Sequence, residues 1–171
     1  MNFQRACQAY VWGIPAVGTA EWQNAHDNII KARNEQRVSY LSFKGKLGIL
    51  TPNYTTPYIC SLVDLEESGP IVYEIPPGLM AGMILDVWQR VYTDMGVVGP
   101  DEGKGGKFLL LPPGHEKVEA PGYYVIKLPS RLAFVGIRLL DSDREKAIRE
   151  LVPGIKSYTW SPDGTGEVMG V

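Results

Sequence analysis

The sequence predicts a mainly β fold of the α+β class: an antiparallel β-sandwich or jelly-roll-like domain with an N-terminal helix and a short C-terminal helix. Three observations carry this expectation. From Tyr40 onward apolar residues recur with period two over short runs, as half-buried strands require. Those runs are separated by Gly69-Pro70, Pro76-Pro77-Gly78, Gly99-Pro100, Pro112-Pro113-Gly114 and Pro121-Gly122, with no intervening helices to serve as parallel crossovers. The length of 171 residues suffices for one core and is short for two.

The elements follow in order. Phe3, Ala6, Cys7, Tyr10, Val11, Ile14 and Val17 recur at helical spacing, which predicts an amphipathic helix packed on the sheet by that face. Pro15 lies inside it, and an internal proline costs about 3 kcal/mol, so a kink or stop is expected before the helix resumes toward Trp22. The polar stretch 26–37 reads as its frayed end or a loop. Strands are expected at 45–50, 58–65, 71–75, 83–91, 107–111, 123–128 and 132–140. Ser142-Asp143-Arg144-Glu145 is a capping-box signature, which starts a helix over 142–152 with Ala147, Ile148, Leu151 and Val152 on its apolar side. The organisation expected is therefore a helical segment 1–38, a sandwich 39–160, and a linker 161–171 leading to a C-terminal domain outside this chain.

Composition excludes some functions. A net charge of −2 gives no electrostatic footprint for nucleic acid. Lys31, Arg33, Arg37, Lys44 and Lys46, with Glu35 among them, read as a solvated segment. No run approaches the roughly 20 apolar residues of a membrane span, and the N-terminus lacks the pattern of a secretory signal. As written the chain reads as cytoplasmic, or as periplasmic or secreted if a leader preceded Met1. Cys7 and Cys60 read as buried thiols, with a single disulfide as the alternative. His26 and His115 are the only histidines, too few for a His-rich zinc site, so no metal and no cofactor is expected. No Gly-x-Ser-x-Gly elbow is present to supply a nucleophilic serine.

The segment 83–94 is the most informative. Read as one strand, it puts Met83, Leu85, Val87 and Val91 on a core face and Asp86, Trp88, Arg90, Tyr92 and Asp94 on the other. That polar row suits either a ligand groove, with rings for stacking and charges for orientation, or an ordinary solvent face. Arg138 interrupts an apolar strand beside Phe134 and Leu140, and calls for a carboxylate partner, Asp86 or Asp94. Asn53, Thr55 and Thr56 lie in a loop bounded by Pro52 and Pro57, where they either cap turns or face a ligand. The glycine-rich stretch 99–107 runs into a strand rather than a helix, so it is a connection and not a phosphate loop; Lys104 and Lys107 there are candidate anion contacts.

Tyr10-Val11-Trp12-Gly13-Ile14-Pro15, Thr51-Pro52-Asn53, Thr55-Thr56-Pro57-Tyr58, Asp86-x-Trp88-Gln89, Asp94-x-Gly96, Gly103-Lys104-Gly105-Gly106-Lys107 and Leu111-Pro112-Pro113-Gly114 occur in this order. Together they resemble the family called domain of unknown function 1254, over about residues 6–151. Many relatives carry an aspartate where this chain has Thr55, so no role of that carboxylate transfers. The resemblance implies a bacterial β-sandwich domain followed by a second domain, of unknown function 1214, and it implies no mechanism.

The functional expectation is a β-domain of a longer protein that contributes to a small-molecule site, carbohydrate- or ester-like, binding or hydrolytic. Asp86 and Asp94 would be the acid–base pair, and Trp88 and Tyr92 the stacking platform. Arg90 and Arg138 would be the anion partners. The alternative is a non-catalytic structural or interaction module, with homo-oligomer formation left open.

Overall fold

The chain is described from a computed structural model, which covers residues 2–32, 38–41 and 55–163. The expected strand 45–50, Asn53 and most of the expected linker lie outside these residues. Within them two sheets face each other. One has five antiparallel strands in the order β1 (Val38–Tyr40), β2 (Tyr58–Asp64), β8 (Leu132–Leu139), β4 (Met80–Asp86) and β5 (Val91–Gly96). The other has four in the order β7 (Tyr123–Lys127), β6 (Gly106–Leu111), β3 (Ile71–Ile75) and β9 (Lys156–Thr159). This is the α+β sandwich the period-two runs require, with one exception to antiparallel pairing: β6 and β7 run parallel.

The core fills the space between the sheets. Ile59 and Val63 of β2, Ile71, Tyr73 and Ile75 of β3, Phe108 and Leu110 of β6, and Val135, Ile137 and Leu139 of β8 are all buried there. Helix α3 (Arg144–Leu151) adds Ala147, Ile148 and Leu151 to the same core. Its start lies one residue past the expected box: the Asp143 carboxylate, not the Ser142 hydroxyl, accepts the Lys146 N–H at 3.0 Å.

The expected strand 83–91 is two strands. β4 ends at Asp86, residues 87–90 turn, and β5 runs back antiparallel beside it. The facing is also the reverse of that expected. Ile84 and Asp86 point inward and are buried, whereas Met83 and Leu85 point outward, Met83 being 37% exposed. The turn hides from pattern reading because it contains neither Gly nor Pro. Gln89 supplies the left-handed residue (φ 59°) that glycine usually provides.

Helix α1 (Asn2–Ala25) runs through Pro15 without a stop and continues as a π-helical turn, His26–Ile30, closed by left-handed Lys31. The stop fails because this part of the helix is half in solvent, where water replaces the donor that proline lacks. The Pro15 carbonyl accepts from Thr19 Oγ1 at 3.0 Å and from Gln89 Nε2 at 3.1 Å. The expected contact face is wrong as well. Phe3, Tyr10, Val11, Ile14 and Val17 are exposed. The body is met instead by Trp12 against Trp88, by buried Thr19, by Trp22 against Phe134, and by buried His26. Cys7 is accordingly exposed and only Cys60 is buried, both as free thiols. Among the described residues no helix is long and apolar enough to cross a membrane.

Candidate functional site

Strand register builds the site. On the outer face of the five-stranded sheet, paired residues form three rows across β2, β8, β4 and β5. The first is Tyr58, Arg138, Ala81 and Gly96. The second is Cys60, Gly136, Met83 and Asp94, and the third Leu62, Phe134, Leu85 and Val91. The middle row has no side chain at Gly136, and Ala81 beside Arg138 is small. A hollow therefore opens between the large residues of the outer rows. A Cβ at Gly136 would lie 2.7 Å from the Phe134 ring, so the glycine is what lets that ring lean over the hollow; a glycine inside a strand commonly marks such a close approach.

Trp22 from α1 lies over Phe134, with ring centroids 4.8 Å apart. Val98, from the connection after β5, forms a further wall. The hollow measures about 450 Å³. Its lining is mostly apolar, and the charged side chains on it are Arg138 and Asp94.

Arg138 does not enter the core and pairs with neither expected aspartate. Its strand parity sends it outward, where the guanidinium lies over the Tyr58 ring at 4.8 Å. Among the described residues no carboxylate comes within ion-pair reach of it. Asp94 stands exposed on β5 at the far side of the hollow.

Behind the hollow the polar groups are neutral. Burial pushes the Cys60 thiol up to about 12, against a smaller opposing pull from Arg138, so it stays a thiol near neutral pH and is no nucleophile. Burial also lowers His26 to about 4. Its Nε2 lies 3.0 Å from the Tyr40 hydroxyl, which also accepts from Trp22 Nε1 at 3.5 Å. The other ring nitrogen, Nδ1, is buried with no hydrogen-bond partner among the described residues. Among the described residues no group of three or more His, Cys, Asp or Glu side chains could hold a metal ion.

The other expected site residues lie elsewhere. Asp86 closes the β4–β5 turn: Oδ1 accepts from the backbone N–H of Trp88 (2.8 Å) and Arg90 (3.0 Å), and Oδ2 meets the Arg90 guanidinium at 2.6 Å. With both oxygens engaged and the side chain buried on the inward parity, it cannot act with Asp94 across one cleft. Arg90 is thus its partner in the turn. Trp88 is half-buried under Trp12, ring centroids 4.3 Å apart, and Tyr92 is exposed on β5 outside the lining. Thr55 and Thr56 precede β2, also outside the lining, with the Thr56 hydroxyl buried. The glycine-rich stretch joins two strands, as expected, and is folded back by buried Asp101, which accepts the Gly96 N–H at 2.8 Å. Lys104 pairs with Glu102 there, and Lys107 faces Glu74 at 4.0 Å on the outer side of the other sheet.

Sequence reasoning thus reached Asp94 and Arg138 and missed Trp22, Tyr58, Cys60, Ala81, Met83 and Gly136. The available signal was Gly136 itself, a glycine in the middle of an otherwise apolar strand.

A sandwich with an open hollow on one outer face defines the class, and the family follows from the sequence. The chain belongs to the family described as "Protein of unknown function (DUF1254)", whose model matches residues 34–159. No curated protein matches it. Among solved structures it is similar to the VPA0106 protein from Vibrio parahaemolyticus, a structural genomics target, at 13% identity and a TM-score of 0.65. That alignment covers 100% of this chain and 42% of the other; at such identity it speaks for the fold alone.

Proposed function

We propose that this domain binds a small molecule in the hollow on the outer face of its five-stranded sheet. One observation carries the reading: a cavity of about 450 Å³ with an apolar lining and one outward guanidinium that has no carboxylate partner among the described residues. Small-molecule sites are typically about 300–1,000 Å³ and combine apolar walls with a few polar anchors. Of the two ligand chemistries expected, carbohydrate- and ester-like, the lining favours the second. Trp22, Met83, Leu85, Val98 and Phe134 would leave the hydroxyls of a sugar facing carbon, and an unpaired polar group costs binding energy. The proposal is binding rather than hydrolysis, since Asp86 is engaged in the turn and burial holds the Cys60 thiol protonated.

Titration with benzoate and methyl benzoate, followed by amide and indole chemical shifts, tests it. Shifts should cluster on the Trp22 indole and Gly136, and should vanish in Ala81→Leu, which fills the hollow from its floor. Shifts scattered over the surface, or binding unchanged in Ala81→Leu with its fold intact, would overturn the reading.

A second reading, an interaction module, is favoured by helix α1. Phe3, Cys7, Tyr10, Ile14 and Val17 follow a 4-3-4-3 spacing and all face solvent, a seam suited to a partner helix. Sedimentation over a wide concentration range, with Phe3→Ser/Tyr10→Ser as control, tests whether copies of the chain associate through it.

A further inference from the structure

We propose that the ligand of this cavity is bipolar, with an anionic group such as a carboxylate at Arg138, a protonated amine at Asp94, and an apolar or aromatic body between. The inference rests on the reading that the cavity binds a small molecule, and it adds the ligand's charge pattern.

Arg138 sits in the first row on β8, and Asp94 in the second row on β5, with β4 between the two strands. Two strand spacings and two residues along the strand put their Cα atoms roughly 12 Å apart. Both side chains line the cavity and both are exposed, yet they form no ion pair with each other. Neither has a carboxylate or cationic partner among the described residues.

A single-charge ligand fits this arrangement poorly. An anion long enough to fill the hollow would bring negative charge toward Asp94 when its head met Arg138. A cation would meet the mirror-image penalty. A molecule with both charges satisfies the two ends at once, and like-for-opposite pairing at each end is what gives such a site its specificity. The middle suits an uncharged body, since Gly136 leaves room, Met83 is adaptable, and Trp22 and Phe134 offer ring faces. At one end the guanidinium lies over the Tyr58 ring, its carbon 4.8 Å from the ring centroid, and a guanidinium suits the planar, two-toothed recognition of a carboxylate.

The two charges must therefore be at opposite ends of the ligand, and a pair of isomers tests this directly. 4-(Aminomethyl)benzoate carries them at opposite ends of a ring, whereas phenylglycine carries both at one end. 4-Methylbenzyl alcohol serves as the neutral probe of similar shape. Calorimetry and amide shifts on the intact chain should give 4-(aminomethyl)benzoate an advantage of about tenfold or more over both others, as charge-assisted hydrogen bonds provide. Arg138→Met and Asp94→Asn should each erase most of that advantage. Both residues are exposed, so unchanged melting curves will show that the variants fold. If the alcohol and phenylglycine bind as tightly as 4-(aminomethyl)benzoate, or if either variant keeps the full advantage, the bipolar inference falls while the cavity reading stands. If none of the three probes shifts Trp22 or Gly136, both fall.

Discussion

On the outer face of the four-stranded sheet, Val72, Leu109 and Leu111 are buried beneath Val118, Ala120, Tyr123, Tyr158 and Trp160. On the outer face of the five-stranded sheet, the middle row of Cys60, Gly136, Met83 and Asp94 stands open to the cavity. The difference originates in chain topology. β6 and β7 are parallel, so the chain must cross the sheet between them, and residues 112–122 do so without a helix. Val118 and Ala120 from that crossing pack on Val72, Leu109 and Leu111 and seal the face. The five-stranded sheet is antiparallel throughout and needs no crossing segment. Among the described residues its outer face is met by Trp22 of α1 over Phe134, and the middle row lines the hollow. One face is closed because connectivity demands it, and the other is free to be a site.

The largest effect that could break this comparison is a matched pair of truncations. Leu109→Ala, beneath the sealed face, should lose about 3 kcal/mol, within the usual range for a fully buried leucine. Leu85→Ala, half-buried beside the open hollow, should lose about 1 kcal/mol, because solvent already reaches its site. Chemical denaturation of both variants measures this. Equal losses would mean that the open face is as well packed as the sealed one, and that the hollow is closed in solution.

A smaller effect concerns the edge of the open face, where buried His26 packs against Trp22 and Tyr40. Burial lowers its folded value from 6.5 to about 4. Between those values the unfolded chain binds a proton that the folded one refuses, so stability rises with pH from 4 to 6.5 and is level above. The loss on acidification is roughly 2–3 kcal/mol, and it begins well above the range where most carboxylates titrate. Stability measured from pH 7.5 to 4.5 should fall in the natural chain. In His26→Phe the curve should be flatter, whatever its absolute level. Parallel curves would place the imidazole in water.

These two faces also show why the fold was more legible than the site. β3 matches its expected bounds, Ile71–Ile75, since alternation and flanking prolines agree there. α3 was visible from its acidic cap and its apolar side. The β4–β5 hairpin was not, because its turn is made by an aspartate side chain and a left-handed glutamine rather than by glycine. Apolar spacing simply continued across it, and the facing of Asp86 came out reversed. α1 carries apolar residues on two sides, and helical period alone does not say which side meets the body. The hollow was least legible of all. It depends on Cys60, Ala81 and Gly136 becoming neighbours through register, and these residues are ordinary in isolation. Arg138 was legible as an anomaly, while its direction depended on the same register.

The smallest expected effect is the most discriminating. Arg138→Met should change stability by no more than about 1 kcal/mol, the upper worth of an exposed cation–π contact. The surroundings of the guanidinium set this bound. It points outward over Tyr58, without a carboxylate partner among the described residues, so removing it strands no buried charge of the kind that costs about 3–5 kcal/mol. Asp86 keeps its own partner, Arg90, and is untouched. Methionine can lie over the Tyr58 ring much as the arginine stem does. A loss of several kcal/mol on thermal or chemical unfolding would therefore mean that Arg138 organises the sheet. The open face would then be a structural surface that happens to be hollow. A negligible loss means that the fold does not need this charge at the wall of its cavity, and the reason for its presence must be sought in what the cavity holds.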